Sequence, residues 1–247
     1  MKKLYFSFFT TTLFVLIFTY NSNAQVTLQI GGGVGYSVPT GDYSGTTIDF
    51  YNGTKYGMES GLNLHAKARV GILFLNAFGE IGYTNFSGNG EAEPGQGSID
   101  VSNKLVSIKI GPEFPINIPM SPITPYLQAF VSFNTISGNV EFQGVSNVPS
   151  GKYDIASASR VGLGAGIGAI FNLAGIKLDA NIQYHSINLA GKEYKIENIT
   201  SHERLDNYTS LNDGKDPLYN ANSVGHFIKE DRGIGAIEFK LTAMFGL

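Results

Sequence analysis

The residues most suggestive of chemistry are His185 and Ser186, side by side in Tyr184-His185-Ser186-Ile187-Asn188. An imidazole that takes a proton from a hydroxyl makes a nucleophile for acyl transfer, provided a carboxylate orients it and all three groups meet in space. Adjacent side chains of a strand point to opposite faces, so His185 and Ser186 can cooperate only across a bulge. Gly162, Gly164, Gly166 and Gly168 have the density of a dinucleotide loop but lie within an apolar run lacking a strand-to-helix turn. Alternate glycines in a strand instead clear room for long neighbours such as Lys177. Asn212-Asp213-Gly214-Lys215-Asp216 carries fragments of a calcium loop without its acidic spacing or terminal Glu, and reads as a turn. The Asn198 and Asn207 glycosylation patterns have meaning only in a eukaryotic secretory route. The chain has no Cys, which excludes disulfides, thiol nucleophiles, Cys-containing zinc sites and lipid attachment through Cys. No catalytic, cofactor-binding or metal-binding residue is therefore assigned.

The elements that must position these residues alternate residue by residue. Leu62, Leu64, Ala66, Ala68 and Val70 interleave with Asn63, His65, Lys67 and Arg69. The same period returns at 176–184 and 237–247, and in weaker form at 25–38, 75–86, 101–111, 124–136 and 157–171. A strand between lipid and a polar lumen must read this way. The connections alternate in length too. Segments 39–57, 87–100, 138–155 and 191–232 are long and polar, whereas those near Phe74, at 112–123 and at 172–175 are short. With eight strands, both chain ends and all the short turns fall on one side. Five prolines from Pro112 to Pro125 crowd the second turn, leaving strand interiors free. Tyr36, Tyr83, Phe86 and Phe133 fall near one set of strand ends and Tyr126, Phe171 and Phe245 near the other, as interfacial aromatics would.

The start of the chain is different in kind. Lys2 and Lys3 precede an apolar run to Tyr20, and Asn21-Ser22-Asn23-Ala24 offers small residues before a cut at Gln25. Residues 1–24 are expected to be a cleaved secretory signal and 25–247 the barrel domain. The charged fraction is only 15% and the formal charge is −3, which leaves no basic surface for nucleic acid.

The stretches GVGYSVP, GPEFPI, PYLQAFVSF, GLGAGIGAIFNLAGIKLDANIQYHSINL and IEFKLTAMFGL resemble the OmpA/OmpX-like eight-stranded outer-membrane β-barrels, often labelled porin-family proteins. The resemblance implies an all-β, antiparallel, up-and-down transmembrane barrel with short periplasmic turns and long extracellular loops. It also implies residence in the outer membrane of a Gram-negative bacterium, contact with outer-membrane lipid including lipopolysaccharide, and insertion by the barrel-assembly machinery. Such barrels usually end on an aromatic residue, whereas this chain ends on Leu247 with Phe245 two residues earlier.

Alternation assigns His65, Lys67, Arg69, Glu80, Lys109, Arg160, Lys177, Asp179, His185, Glu238 and Lys240 to the lumen as a structural charge network. Six bases face three acids in this set, so some bases are expected to reach water. Eight strands enclose room for side chains or one small ligand, which favours a closed lumen over a pore. The longest loop, 191–232, holds His202 and His226 and is the expected interaction element, toward an extracellular or envelope protein. The resulting function is non-enzymatic, serving envelope integrity, surface interaction or both. Three alternatives remain open at this point. One is an enzyme similar to the lipid A deacylase barrels, which place Ser two residues after His. The others are a narrow channel and a secreted lipocalin-like carrier with an apolar interior.

Overall fold

The computed structural model describes residues 27–72, 74–173, 176–195, 205, 208–216 and 230–246. The expected signal segment and cleavage point, His202, His226, Asn198, Asn207 and Leu247 lie outside the described residues. Eight antiparallel strands form one closed barrel in chain order. They are β1 (Thr27–Gly41), β2 (Gly61–Ile72), β3 (Leu75–Glu93), β4 (Gln96–Pro115), β5 (Ile123–Gln143), β6 (Gly151–Leu173), β7 (Ile176–Ala190) and β8 (Ile234–Gly246). β1 pairs with both β2 and β8, so no edge strand is left open.

β4 shows how the sequence builds two storeys. From Val106 through Ile108 to Ile110 the outward residues are apolar and exposed, while Ser107 and Lys109 between them are buried. Past Leu105 the same face stays buried, but the chemistry of the two faces is exchanged. Leu105, Val101 and Ile99 are buried, and Lys104 and Asp100 face out. β5 does the same at the matching level, where Val131 and Phe133 are exposed over buried Ser132 and Asn134, and the buried face then becomes apolar at Ile136, Val140 and Phe142. In the lower storey an apolar wall surrounds a polar interior, so the surrounding solvent must itself be apolar. In the upper storey a polar wall surrounds an apolar core, the arrangement water demands.

This exchange corrects the expected loop boundaries. Segments 87–100 and 138–155 are largely strand, with β3 running to Glu93, β4 starting at Gln96, β5 reaching Gln143 and β6 starting at Gly151. They read as loops because the outward residues are polar there. Three prolines expected in the turn lie in strands, Pro112 and the terminal Pro115 in β4 and Pro125 in β5; Pro112 sits in a break of the β4–β5 ladder, where its missing N–H is harmless. Phe86 and Tyr126 are not interfacial aromatics, since both are buried inside the barrel. Tyr36, Tyr83, Phe133 and Phe245 are exposed on the wall. The lipocalin-like alternative is excluded by the same polarity, because Ile176, Ile182, Phe239 and Leu241 are exposed outside and charges fill the lower interior.

The segment between β1 and β2 adds one short helix, α1 (Thr47–Tyr51). Thr46 caps it, accepting from the Asp49 N–H at 3.2 Å while its own N–H donates to the Asp49 carboxylate at 2.9 Å. These hydrogen bonds, the Thr46 N–H first, hold the Asp49 carboxyl below its ordinary range. The cap aims Phe50 and Tyr51 down into the barrel mouth, where both are buried.

Candidate functional site

The lumen is the only place where ionisable side chains converge in number among the described residues. The lower quartet joins Lys67 and Arg69 of β2, Glu113 of β4 and Asp179 of β7. Lys67 Nζ lies 2.5 Å from Glu113 and 2.9 Å from Asp179. Arg69 donates to both carboxylates, at 2.6 Å to Asp179. The Tyr126 hydroxyl donates to the other Asp179 oxygen at 2.5 Å. The second quartet joins Lys109, Lys240, Glu80 and Glu238. Lys109 and Lys240 lie 2.6 and 2.8 Å from Glu238, and Lys240 also pairs with Glu80. Phe78 and Phe130 meet edge to face, with Lys67 Nζ 5.0 Å from the Phe78 centroid and Lys109 Nζ 5.2 Å from that of Phe130.

Each quartet is two bases against two acids. That neutrality is what burial requires, because a charge removed from water must be paired. It corrects the expected excess of bases in three ways. Glu113, fully buried, is a fourth acid that sequence reading missed. Arg160 pairs outside the quartets, with Asp213 of the long loop. Lys177 is half-buried and joins neither quartet. Lys67, Arg69 and Asp179 lie in the lower quartet and Glu80, Lys109, Glu238 and Lys240 in the second, while His65 hydrogen-bonds outside both, to Thr242 Oγ1 at 2.8 Å and Asn63 at 2.9 Å. Glu113 was legible, since two steps of parity from Lys109 through Gly111 point it inward, but GPEFPI reads as a turn.

Glycine makes this interior possible. A Cβ on Gly164 would lie 2.1 Å from Phe130 Cζ, and one on Gly168 would lie 2.3 Å from Tyr126 Cζ. The alternating glycines thus seat Phe130 and Tyr126 rather than Lys177.

His185 has serine and carboxylate partners, though not the expected serine. Its Nε2 lies 2.7 Å from Ser132 Oγ and its Nδ1 lies 3.0 Å from Glu238. Ser186 is half-exposed on the other face, because the β6–β7 irregularity begins only after the Leu163–Ser186 pair. The Ser132–His185–Glu238 chain has the connectivity of a hydrolytic triad. Its setting is different: the three residues are 0%, 0% and 1% exposed, Ser132 also accepts from Asn134, and the Phe130 ring packs against His185. The triad fills space that a substrate would need.

Above the quartets the upper storey holds an apolar plug. Phe50 stacks on Tyr208 with centroids 4.6 Å apart, and both pack near Phe142. Tyr208 OH donates to the Tyr51 carbonyl and Tyr56 OH to the Leu211 carbonyl at 2.8 Å. Burial pushes the phenols of Tyr43 and Tyr56 above their ordinary range. The long loop is fastened here by Asp213, which receives Arg160 Nε at 2.8 Å, Arg160 Nη2 at 2.6 Å and Asn188 Nδ2 at 2.8 Å. Asn188 reaches inward because the irregularity in β7 turns it and its neighbour Ile187 to the interior together. Burial alone would raise the Asp213 carboxyl, but the Arg160 and Asn188 hydrogen bonds outweigh it and hold the group below its ordinary range. Residues 208–216, within the 191–232 segment expected to be the interaction element, are therefore wall-anchored plug.

A concavity of about 860 Å³ lies on the outer wall among Val34, Leu127, Ile167, Ile182 and Leu241.

No protein-family model and no curated protein matches the sequence. Solved structures similar to it are eight-stranded outer-membrane barrels at low identity. Neisserial surface protein A has 15% identity and a TM-score of 0.48, covering 88% of this chain and 96% of its own. A major outer membrane protein of Thermus thermophilus has 14% identity and a TM-score of 0.47, covering 89% and 99%. OprG of Pseudomonas aeruginosa has 9% identity and a TM-score of 0.44, covering 91% and 97%.

Proposed function

We propose that this protein is a sealed, non-enzymatic barrel of the Gram-negative outer membrane. It serves envelope integrity and surface interaction, with its short turns in the periplasm and its upper storey outside the cell. The observation that supports this reading is the pair of neutral quartets in the lower lumen with an aromatic plug above them. A filled lumen leaves the outer surface as the place where function resides. The outward face of the upper storey, with Asn85, Asn89, Asp100 and Lys104, stands at the height of lipopolysaccharide sugars. The interaction element is the long loop, which Asp213 and Arg232 fasten to the barrel. In-cell crosslinking from a photoreactive residue at 217–229 tests this. Capture of an envelope or surface protein is expected, and a yield no higher than from Lys177 would overturn it. The non-enzymatic half fails if the pure protein hydrolyses ester-linked lipid and Ser132→Ala abolishes that activity.

A further inference from the structure

The end carrying the short turns is apolar where a water-facing rim would be charged. No charged residue occurs between Glu113 and Glu141, and the turn within that span exposes Ile116, Ile118 and Met120, by 51%, 51% and 104%. Phe74 on the first turn and Leu173 beside the third are exposed by 76% and 56%, and Phe245 near the chain's end by 50%. These residues are not needed to span a bilayer. From Ile123 to Phe133, ten steps of about 3.3 Å at a tilt near 40° already cover the apolar band of roughly 25 Å. The second turn therefore extends below the band, at head-group depth.

Resting on the membrane reading above, we infer that this rim is a membrane-interface anchor whose partner is the phospholipid surface of the periplasmic leaflet, with Ile116, Ile118 and Met120 as its deepest contact. Three observations favour lipid over a docked protein. The exposed apolar residues occur on all the short turns, as a planar medium around the rim requires and a protein on one side does not. They continue the apolar wall without a break, through Phe114 on one strand and Ile123 on the next. The turn's backbone also suits a poorly hydrated setting. Pro115, Pro119 and Pro122 have no N–H to satisfy, and Ile116 and Ser121 donate within the turn, to the Pro125 and Ile118 carbonyls at 2.7 and 3.2 Å. Asn172 N–H donates to the Pro122 carbonyl at 3.1 Å, tying the second turn to the third. The turn is thus held in place against the rim.

The absence of Cys makes the test clean. Ile118→Cys and Met120→Cys, with Leu127→Cys on the wall and Asn89→Cys on the upper storey as references, are labelled with an environment-sensitive fluorophore. The proteins are refolded into phosphatidylethanolamine and phosphatidylglycerol vesicles. Labels at 118 and 120 should be quenched by head-group spin-labelled lipid and several-fold less by aqueous iodide than the label at 89. Iodide quenching equal to that at 89, with the label at 127 still protected, overturns the anchor alone. Accessibility at 127 as well overturns the membrane reading on which it rests. Protection in native membranes but not in vesicles reassigns the surface to a protein partner and overturns the lipid assignment.

Discussion

Replacing Glu113 by Ala should be among the most damaging single changes in the lumen, although it sits in a proline-flanked stretch that reads as a turn. Its carboxylate is fully buried and serves both Lys67 and Arg69, whose remaining acid is Asp179. Glu113→Ala leaves two cations sharing one carboxylate in a space closed to water. Breaking a buried pair in this way costs about 3–5 kcal/mol. With a urea dependence near 2 kcal/mol/M, the unfolding midpoint should fall by roughly 1.5–2.5 M. Lys177→Gln removes a lumen-side charge that belongs to neither quartet and should shift the midpoint little. The assay is urea unfolding of the detergent-refolded protein, followed by circular dichroism and by heat-modifiable gel mobility. Equal midpoints for Glu113→Ala and Lys177→Gln would refute the quartet.

Other perturbations test other levels. Gly164→Ala should overpack the interior against Phe130 and destabilise by about 1–3 kcal/mol, and Phe130→Ala in the same chain should recover part of the loss in the same assay. Leu241→Arg, on the exposed wall, should cost roughly 2–4 kcal/mol of insertion if it lies near mid-bilayer, measured by folding into vesicles. Because the folded Asp213 carboxyl lies below its ordinary value of 3.8, its stabilisation is complete above that pH and is lost as pH falls through the lower folded value. Protease nicking of the long loop should therefore rise only below about that unfolded pKa, and Asp213→Asn should nick readily at neutral pH.

How much of this was legible depended on which face a residue occupies. Eight strands could be read because lipid outside and charge inside impose a clear period of two, as at Leu62 to Val70. That rule fails where the surroundings change. At Leu105–Val106 the apolar phase slips by one residue, so a single assumed phase turns the upper halves of β3 to β6 into apparent loops. The lumenal residues followed from parity, but their pairing did not, because Lys67 and Asp179 are 112 positions apart and meet only through barrel closure. Glu113 was hidden by prolines on either side. Asp213 was hidden because a loop residue has no parity to count, and only the waiting Arg160 identifies its role. Ser132 became the partner of His185 through register across β5, β6 and β7, which adjacency in sequence cannot show.

The central claim is that the barrel is filled from end to end, and its ion conductance tests this most directly. Wild-type protein refolded into planar bilayers, with folding verified by heat-modifiable mobility, should leave the current at the bare-membrane level with no steady unitary steps. A large, stable conductance carried by the folded protein would contradict the account.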